Sequence, residues 1–220
     1  MMIYASYKPT DNKCIPVVVS LGEMETPVWL QQDWESGEYA QFVVRNGCGH
    51  CCAAMALRMH GVDIDPHGEY ELCVRLWGHP EIDGHAKQGN FQSVDGIAKI
   101  IRHHGIAAES FGVPDRDVAT AHICECLKQG KLVIFESHPT EDFPDNPFST
   151  GEHWVMAVGY TEGGEILVAN SSLRATDKGY QLVDEDTIKR ALYLGASPSD
   201  YTWGEWRDEF RGGVGYVTVG

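Results

Sequence analysis

Apolar and polar positions change their rhythm near residue 131. Before it, apolar residues recur at helical spacing. After it, they come in short β-branched and aromatic runs. Cys51 to Met59 has no Gly or Pro and is rich in Ala, Leu and Met, which predicts a helix. It is apolar on nearly every side until Arg58, so it belongs inside a core, and Gly61 follows in the usual C-terminal place. Asp65 caps a second helix with Pro66 at its first position, running to about Trp77. Ser93 caps a third, Val94 to His104, whose Val94, Ile97, Ile100 and Ile101 share one face. Asp115 to Gln129 is a fourth, closed by Gly130, and Asp184 to Leu192 a short fifth.

The strand pattern is Ile15 to Leu21, a short Pro27 to Leu30, and a short strand or extended link over residues 106–111. Lys131 to Glu136, His153 to Tyr160, Glu165 to Asn170 and Gly215 to Val219 follow, with Thr161-Glu162-Gly163-Gly164 as a hairpin turn. Residues 78–90 are a polar loop. Residues 138–151, with three prolines, form a loop long enough to suspect function. The order predicts an α+β domain over residues 1–220. Its helical lobe, about 46–130, packs on a twisted antiparallel sheet, about 131–220.

Composition narrows the function. Apolar content of 43% and aromatic content of 10% describe a globular protein. A formal net charge of −15 argues against nucleic acid or an anionic membrane as partner, and fits a neutral or cationic substrate. No apolar run reaches the length of a membrane span. The first residues lack a signal-peptide pattern, so a cytoplasmic location with mostly reduced thiols is expected. Seven cysteines leave at least one unpaired within the chain, and Cys51-Cys52 and Cys124-Glu125-Cys126 do not form zinc knuckles. No metal or other cofactor is implied.

One cysteine stands apart. Cys48 lies between Gly47 and Gly49, at or just before the start of the buried helix. Helix-start N–H groups and the helix dipole stabilise a thiolate there, so a lowered pKa is expected. The plain alternative is a small hydrophobe on a tight turn.

Three segments carry a resemblance: Gln41 with the Cys48-Gly49 pair opening an Ala/Met/Leu helix, Gly151 to Tyr160 around His153-Trp154-Val155, and the strand-ending Asn170. Over about residues 38–172 the chain resembles papain-like cysteine peptidases. More narrowly, it is similar to the bacteriocin-processing, double-glycine leader peptidase group. The resemblance implies a papain-like fold and a peptide or protein substrate. It implies Cys48 as nucleophile, His153 as base, Asn170 to orient the imidazole, and Gln41 as an oxyanion donor, with Asn46 the alternative. It differs from the group in having His50 where Pro is frequent and Asn170 where Asp is frequent. His50 follows Cys48 too closely to be a well-aimed base but could help keep the thiolate charged.

Each residue also has a bland reading. His153 could begin a strand in solvent, and Asn170 could be an ordinary turn residue. Trp154, Cys51 and Cys52 read as core, and His138 as solvated. The functional alternatives are another acyl transfer at the same site, such as transpeptidation or deamidation, and a non-catalytic acidic binding protein.

Overall fold

The computed structural model describes residues 17–21, 24–28, 47–77, 93–161, 163–172, 180–194 and 213–220, with backbone alone for 17–28 and 180. The expected loop at 78–90 lies outside them. Strands β1 (Val17–Leu21) and β2 (Met24–Val28) pair antiparallel as a two-stranded sheet. The second strand therefore begins earlier than the expected Pro27. Helices α1 (Cys48–Met59), α2 (Pro66–Trp77) and α3 (Val94–His103) follow. Then come β3 (Ala108–Val113), α4 (Arg116–Lys128), β4 (Leu132–Ser137), β5 (His153–Tyr160), β6 (Ile166–Ala169), β7 (Tyr180–Val183), α5 (Glu185–Ala191) and β8 (Val214–Val219).

Asp65 and Ser93 cap their helices as the sequence predicts, and Asp115 and Asp184 cap two more. Asp65 Oδ1 accepts from the Gly68 N–H at 2.7 Å, Ser93 Oγ from Gly96 at 2.9 Å, Asp115 Oδ1 from Val118 at 2.8 Å and Asp184 Oδ1 from Thr187 at 2.8 Å. Each satisfies one N–H that its helix leaves unpaired.

The larger sheet has six strands in the order β3-β8-β4-β5-β6-β7, antiparallel throughout. Residues 108–113 thus join the sheet as an edge strand rather than a mere link. One core lies between a sheet face and α1, α2 and α3, and includes Met55, Tyr70, Ile97, Ile134, Trp154, Met156 and Val217. A second lies on the other face under α4 and α5, with Ile123, Phe135, Val155, Val168 and Tyr216. Helices cover both faces, and this explains the strand sequences. β4, β5 and β8 are nearly continuous apolar runs because neither face meets water. The closest approach is at Gly215 of β8, where a Cβ would meet Val94 Cγ2 at 2.7 Å. Only glycine lets α3 lie that close to the strand.

Candidate active site

α1 begins at Cys48, at the helix start where the sequence places this residue and three residues ahead of the Gly-free run from Cys51. Cys48 is its first residue and Gly47 its N-cap, with the Cys51 N–H donating to the Gly47 carbonyl at 2.8 Å. From Gly49 to Leu57 every residue is buried, so the helix enters the core end-on and carries Cys48 at its mouth. The half-buried Cys48 packs against the core beneath α1. Its sulfur lies at the backbone N–H groups of Trp154, Gly49 and Cys48 itself.

The lowered thiol pKa expected at a helix start is not found. Burial pushes the Cys48 thiol up from 9.0 to about 11; the three N–H groups pull it down by less, and the Glu136 carboxylate pushes it further up. Loss of hydration outweighs the amide dipoles here.

Trp154 follows His153 at the start of β5, so its N–H brings the Cys48 sulfur to the main chain beside the imidazole. Trp154 itself belongs to the core beneath α1. The hairpin at Thr161–Gly164, closed by Gly164 N–H to Thr161 O at 3.0 Å, returns the chain along β6 to Asn170. His153 Nε2 donates to Asn170 Oδ1 at 2.8 Å. Both side chains are buried, so neither the solvated-histidine nor the simple-turn reading applies. Burial also pulls His153 down from 6.5 to about 4, against a smaller upward pull from the Asn170 bond. With Nε2 committed to Asn170, Nδ1 is the ring nitrogen left for a thiol proton.

Two further features were not found from the sequence. Glu136, next to last in the largely apolar strand β4, is buried and pairs in register with Trp154. Strand alternation puts it on the α1 side with Leu132 and Ile134, where its charge reaches Cys48. A carboxylate near the end of a largely apolar strand was the available signal. The second is the inner end of the 138–151 loop. Asn146 Nδ2 donates to Ser137 Oγ and its Oδ1 accepts from the Phe148 N–H, both at 2.9 Å. Residues 146–148 are thereby pinned beside Asn170, whose Nδ2 donates to the Phe148 carbonyl at 3.0 Å.

Gln41 and Asn46 lie outside the described residues. His50 does not serve the thiolate as the sequence suggested. Its Nδ1 pairs with the buried Glu69 of α2, and its ring meets Tyr70 edge-on at 4.8 Å. The Cys73 thiol donates to the other Glu69 oxygen at 3.0 Å. The ligand atoms of these three residues lie within 4.8 Å of one another, a set that could hold a cation, but here they satisfy each other. Cys51 and Cys52 are core, as expected. His138 is half-buried rather than fully solvated: its Nδ1 donates to the Pro139 carbonyl at 2.6 Å and its ring lies against Tyr193.

A family model described as "Peptidase_C39 like family" matches residues 24–201. No match was found among curated proteins. Among solved structures the chain is similar to a double glycine motif protease from an AMS/PCAT transporter in complex with the leader peptide. That match has 13% identity, covers 92% of this chain and 96% of the other, and has a TM-score of 0.46. A Bacillus anthracis protein described as C39-like peptidase matches at 13% identity, 92% and 97% coverage and a TM-score of 0.49. The peptidase domain of Streptococcus ComA, a bifunctional ABC transporter, matches at 11% identity, 67% and 85% coverage and a TM-score of 0.43. No described helix is long and apolar enough to cross a membrane.

Proposed function

Because this chain belongs to the Peptidase_C39 like family, we propose that it is a cysteine peptidase with Cys48 as nucleophile, His153 as base and Asn170 as the group that orients the base. The observation that carries this reading is the 2.8 Å bond from His153 Nε2 to Asn170 Oδ1, with the Cys48 sulfur at the N–H of the residue next to His153.

The Cys48 thiol gives its proton to His153 Nδ1 as sulfur adds to the peptide carbonyl carbon. The oxyanion takes N–H bonds from the start of α1, and Gln41 is the proposed side-chain donor. The C–N bond then breaks, and His153 returns its proton to the leaving amine. Water, deprotonated by His153, attacks the thioester and releases the acid, and the thiol is restored. Burial disfavours either charge alone, so proton transfer is concerted with charge development on its partner. The orienting amide matters because His153 must hold its proton on Nε2 to offer Nδ1 as acceptor.

Cys48→Ala tests the reading against a library of unstructured peptides. Turnover falls to background while the circular dichroism spectrum and Tm stay within a few degrees of wild type. Cleavage retained by the variant overturns the assignment.

A further inference from the structure

Asn170 is fully buried and uses its whole hydrogen-bonding capacity. Oδ1 accepts from His153 Nε2 at 2.8 Å and from the Ser172 N–H at 2.9 Å. Nδ2 donates to the Phe148 carbonyl at 3.0 Å and to Gln181 Oε1 at 2.9 Å. Gln181 in turn donates its Nε2–H to the Pro147 carbonyl at 2.9 Å. It stands on β7 in register with Val168 of β6, two residues before Asn170, so it rises on the same face of the sheet.

We infer that Gln181 is a positioning residue of this site: it fixes which end of the Asn170 amide faces His153. The inference rests on the peptidase reading for its consequence in catalysis, and on geometry for the rest. If the Asn170 amide turned over, its NH2 would face His153 Nε2. That nitrogen would then have to accept, and the ring proton would move to Nδ1, the nitrogen the thiol needs. Three partners hold the amide against this. Ser172 N–H and Phe148 C=O are main-chain groups, and Gln181 is the one side chain among them. Gln181 could itself turn over, and the Pro147 carbonyl prevents that by requiring its NH2. The order of control therefore runs from the 146–148 loop through Gln181 and Asn170 to the tautomer of His153.

The test uses Gln181→Leu, close in volume, which removes both bonds, and Gln181→Glu, which keeps an acceptor for Asn170 Nδ2. Two readouts are taken. The first is the 15N shifts of the His153 ring, which report its tautomer whether or not any peptide is cleaved. Wild type holds the proton on Nε2, Gln181→Leu shows a substantial Nδ1-protonated share, and Gln181→Glu shows less of it. An unchanged tautomer in a folded Gln181→Leu protein overturns the inference. The second is kinetic: Gln181→Leu lowers kcat roughly 10-fold, the worth of about one hydrogen bond, with KM nearly unchanged. In an Asn170→Ala background the same substitution changes kcat by less than about twofold, because its effect passes through Asn170. A further full loss in that background also overturns it. If Gln181→Leu does not fold, Gln181→Ala, which also removes both bonds, takes its place, and an unchanged tautomer in folded Gln181→Ala overturns the inference. Failure of the peptidase reading looks different: wild type cleaves nothing, while the tautomer still responds to Gln181.

Discussion

His153 and His50 are both buried imidazoles, and each bonds a side-chain oxygen on a neighbouring element. The two arrangements differ in what they leave over. The Glu69 carboxylate is used on both oxygens, one by His50 and one by the Cys73 thiol, so it is fully spent in tying α1 to α2. Asn170 also uses all its bonds, but three go to groups that hold the amide, and the fourth takes one nitrogen of His153. The other nitrogen is not used by that bond, and the N–H of the next residue, Trp154, meets the Cys48 sulfur. An amide also accepts the ring N–H without carrying a charge of its own, so the imidazole can gain and lose a proton. Burial and a polar partner are common to both histidines, and the proposed catalytic role of His153 rests on the ring nitrogen that its Asn170 bond leaves over.

That contrast breaks most sharply at His153. His153→Gln lowers kcat/KM by roughly 10³-fold, the range of a lost general acid–base group. It moves Tm by only a few degrees, since Gln can still donate to Asn170. Peptide cleavage and thermal melting on the same preparation check this. Near-wild-type turnover would mean that His153 is an ordinary buried strand residue.

Glu69→Ala should do the reverse. It strips the acceptor from His50 Nδ1 and the Cys73 thiol inside a closed core, at a cost of roughly 3 kcal/mol. For a domain of this size that lowers Tm by roughly 10 °C. Turnover per folded molecule, counted by active-site titration, stays within about twofold of wild type. A specific loss of kcat without loss of Tm would place the His50 cluster in the catalytic machinery and erase the distinction.

The sequence made one half of this contrast legible. Gly47, Gly49 and the Ala/Leu/Met run marked Cys48 at the mouth of a buried helix, and the Gly163-Gly164 hairpin brought His153 and Asn170 to one end of adjacent strands. These are local signals, carried by turn chemistry and side-chain period. The other half depends on contacts far apart in sequence. Nothing near His50 announces Glu69, nineteen positions on, or the full burial of both. Gln181 lies 34 positions from the carbonyl it binds, on a strand that the sequence pattern did not predict. The thiol pKa was misjudged for the same reason. The helix start is visible in sequence, whereas the desolvation that outweighs it, and the Glu136 charge that adds to it, come from parts of the chain far from Cys48 in sequence.

Titration sharpens the comparison next. His153 takes its proton near 6.5 when unfolded and only near about 4 when folded. Between those values the unfolded chain binds the proton and the folded one does not. The stability of burying a neutral ring is thus complete above about pH 6.5 and is lost as pH falls toward 4. The loss is roughly 3 kcal/mol, and Tm measured from pH 7 to pH 4 should fall more steeply in wild type than in His153→Gln. The same values frame activity. The Cys48–His153 pair must hold one proton, so the rate should be flat between an acid limb near 4 and an alkaline limb near 11. Attraction between thiolate and imidazolium stabilises the one-proton state and can only widen that window. A bell centred near neutrality with steep limbs at pH 6 and 8 would contradict the burial of both groups.

The smallest effect belongs to Glu136. Its carboxylate faces the α1 side of the sheet and raises the Cys48 thiol, but by less than burial does. Glu136→Gln keeps the shape and removes the charge. The alkaline limb of the rate, and the pH at which iodoacetamide labels Cys48, should both move downward, while the acid limb set by His153 stays in place. The direction is diagnostic because losing a buried carboxylate would by itself loosen the site without favouring the thiolate. An upward move, or none, would mean that the carboxylate is neutralised in the folded protein by a closer group and does not act on the sulfur. Read by peptide mass spectrometry, the labelling also separates Cys48 from Cys52, whose thiol burial holds well above its ordinary value. Cys52 should stay unlabelled at every pH at which the fold survives, giving an internal standard for what a buried thiol without a histidine neighbour does.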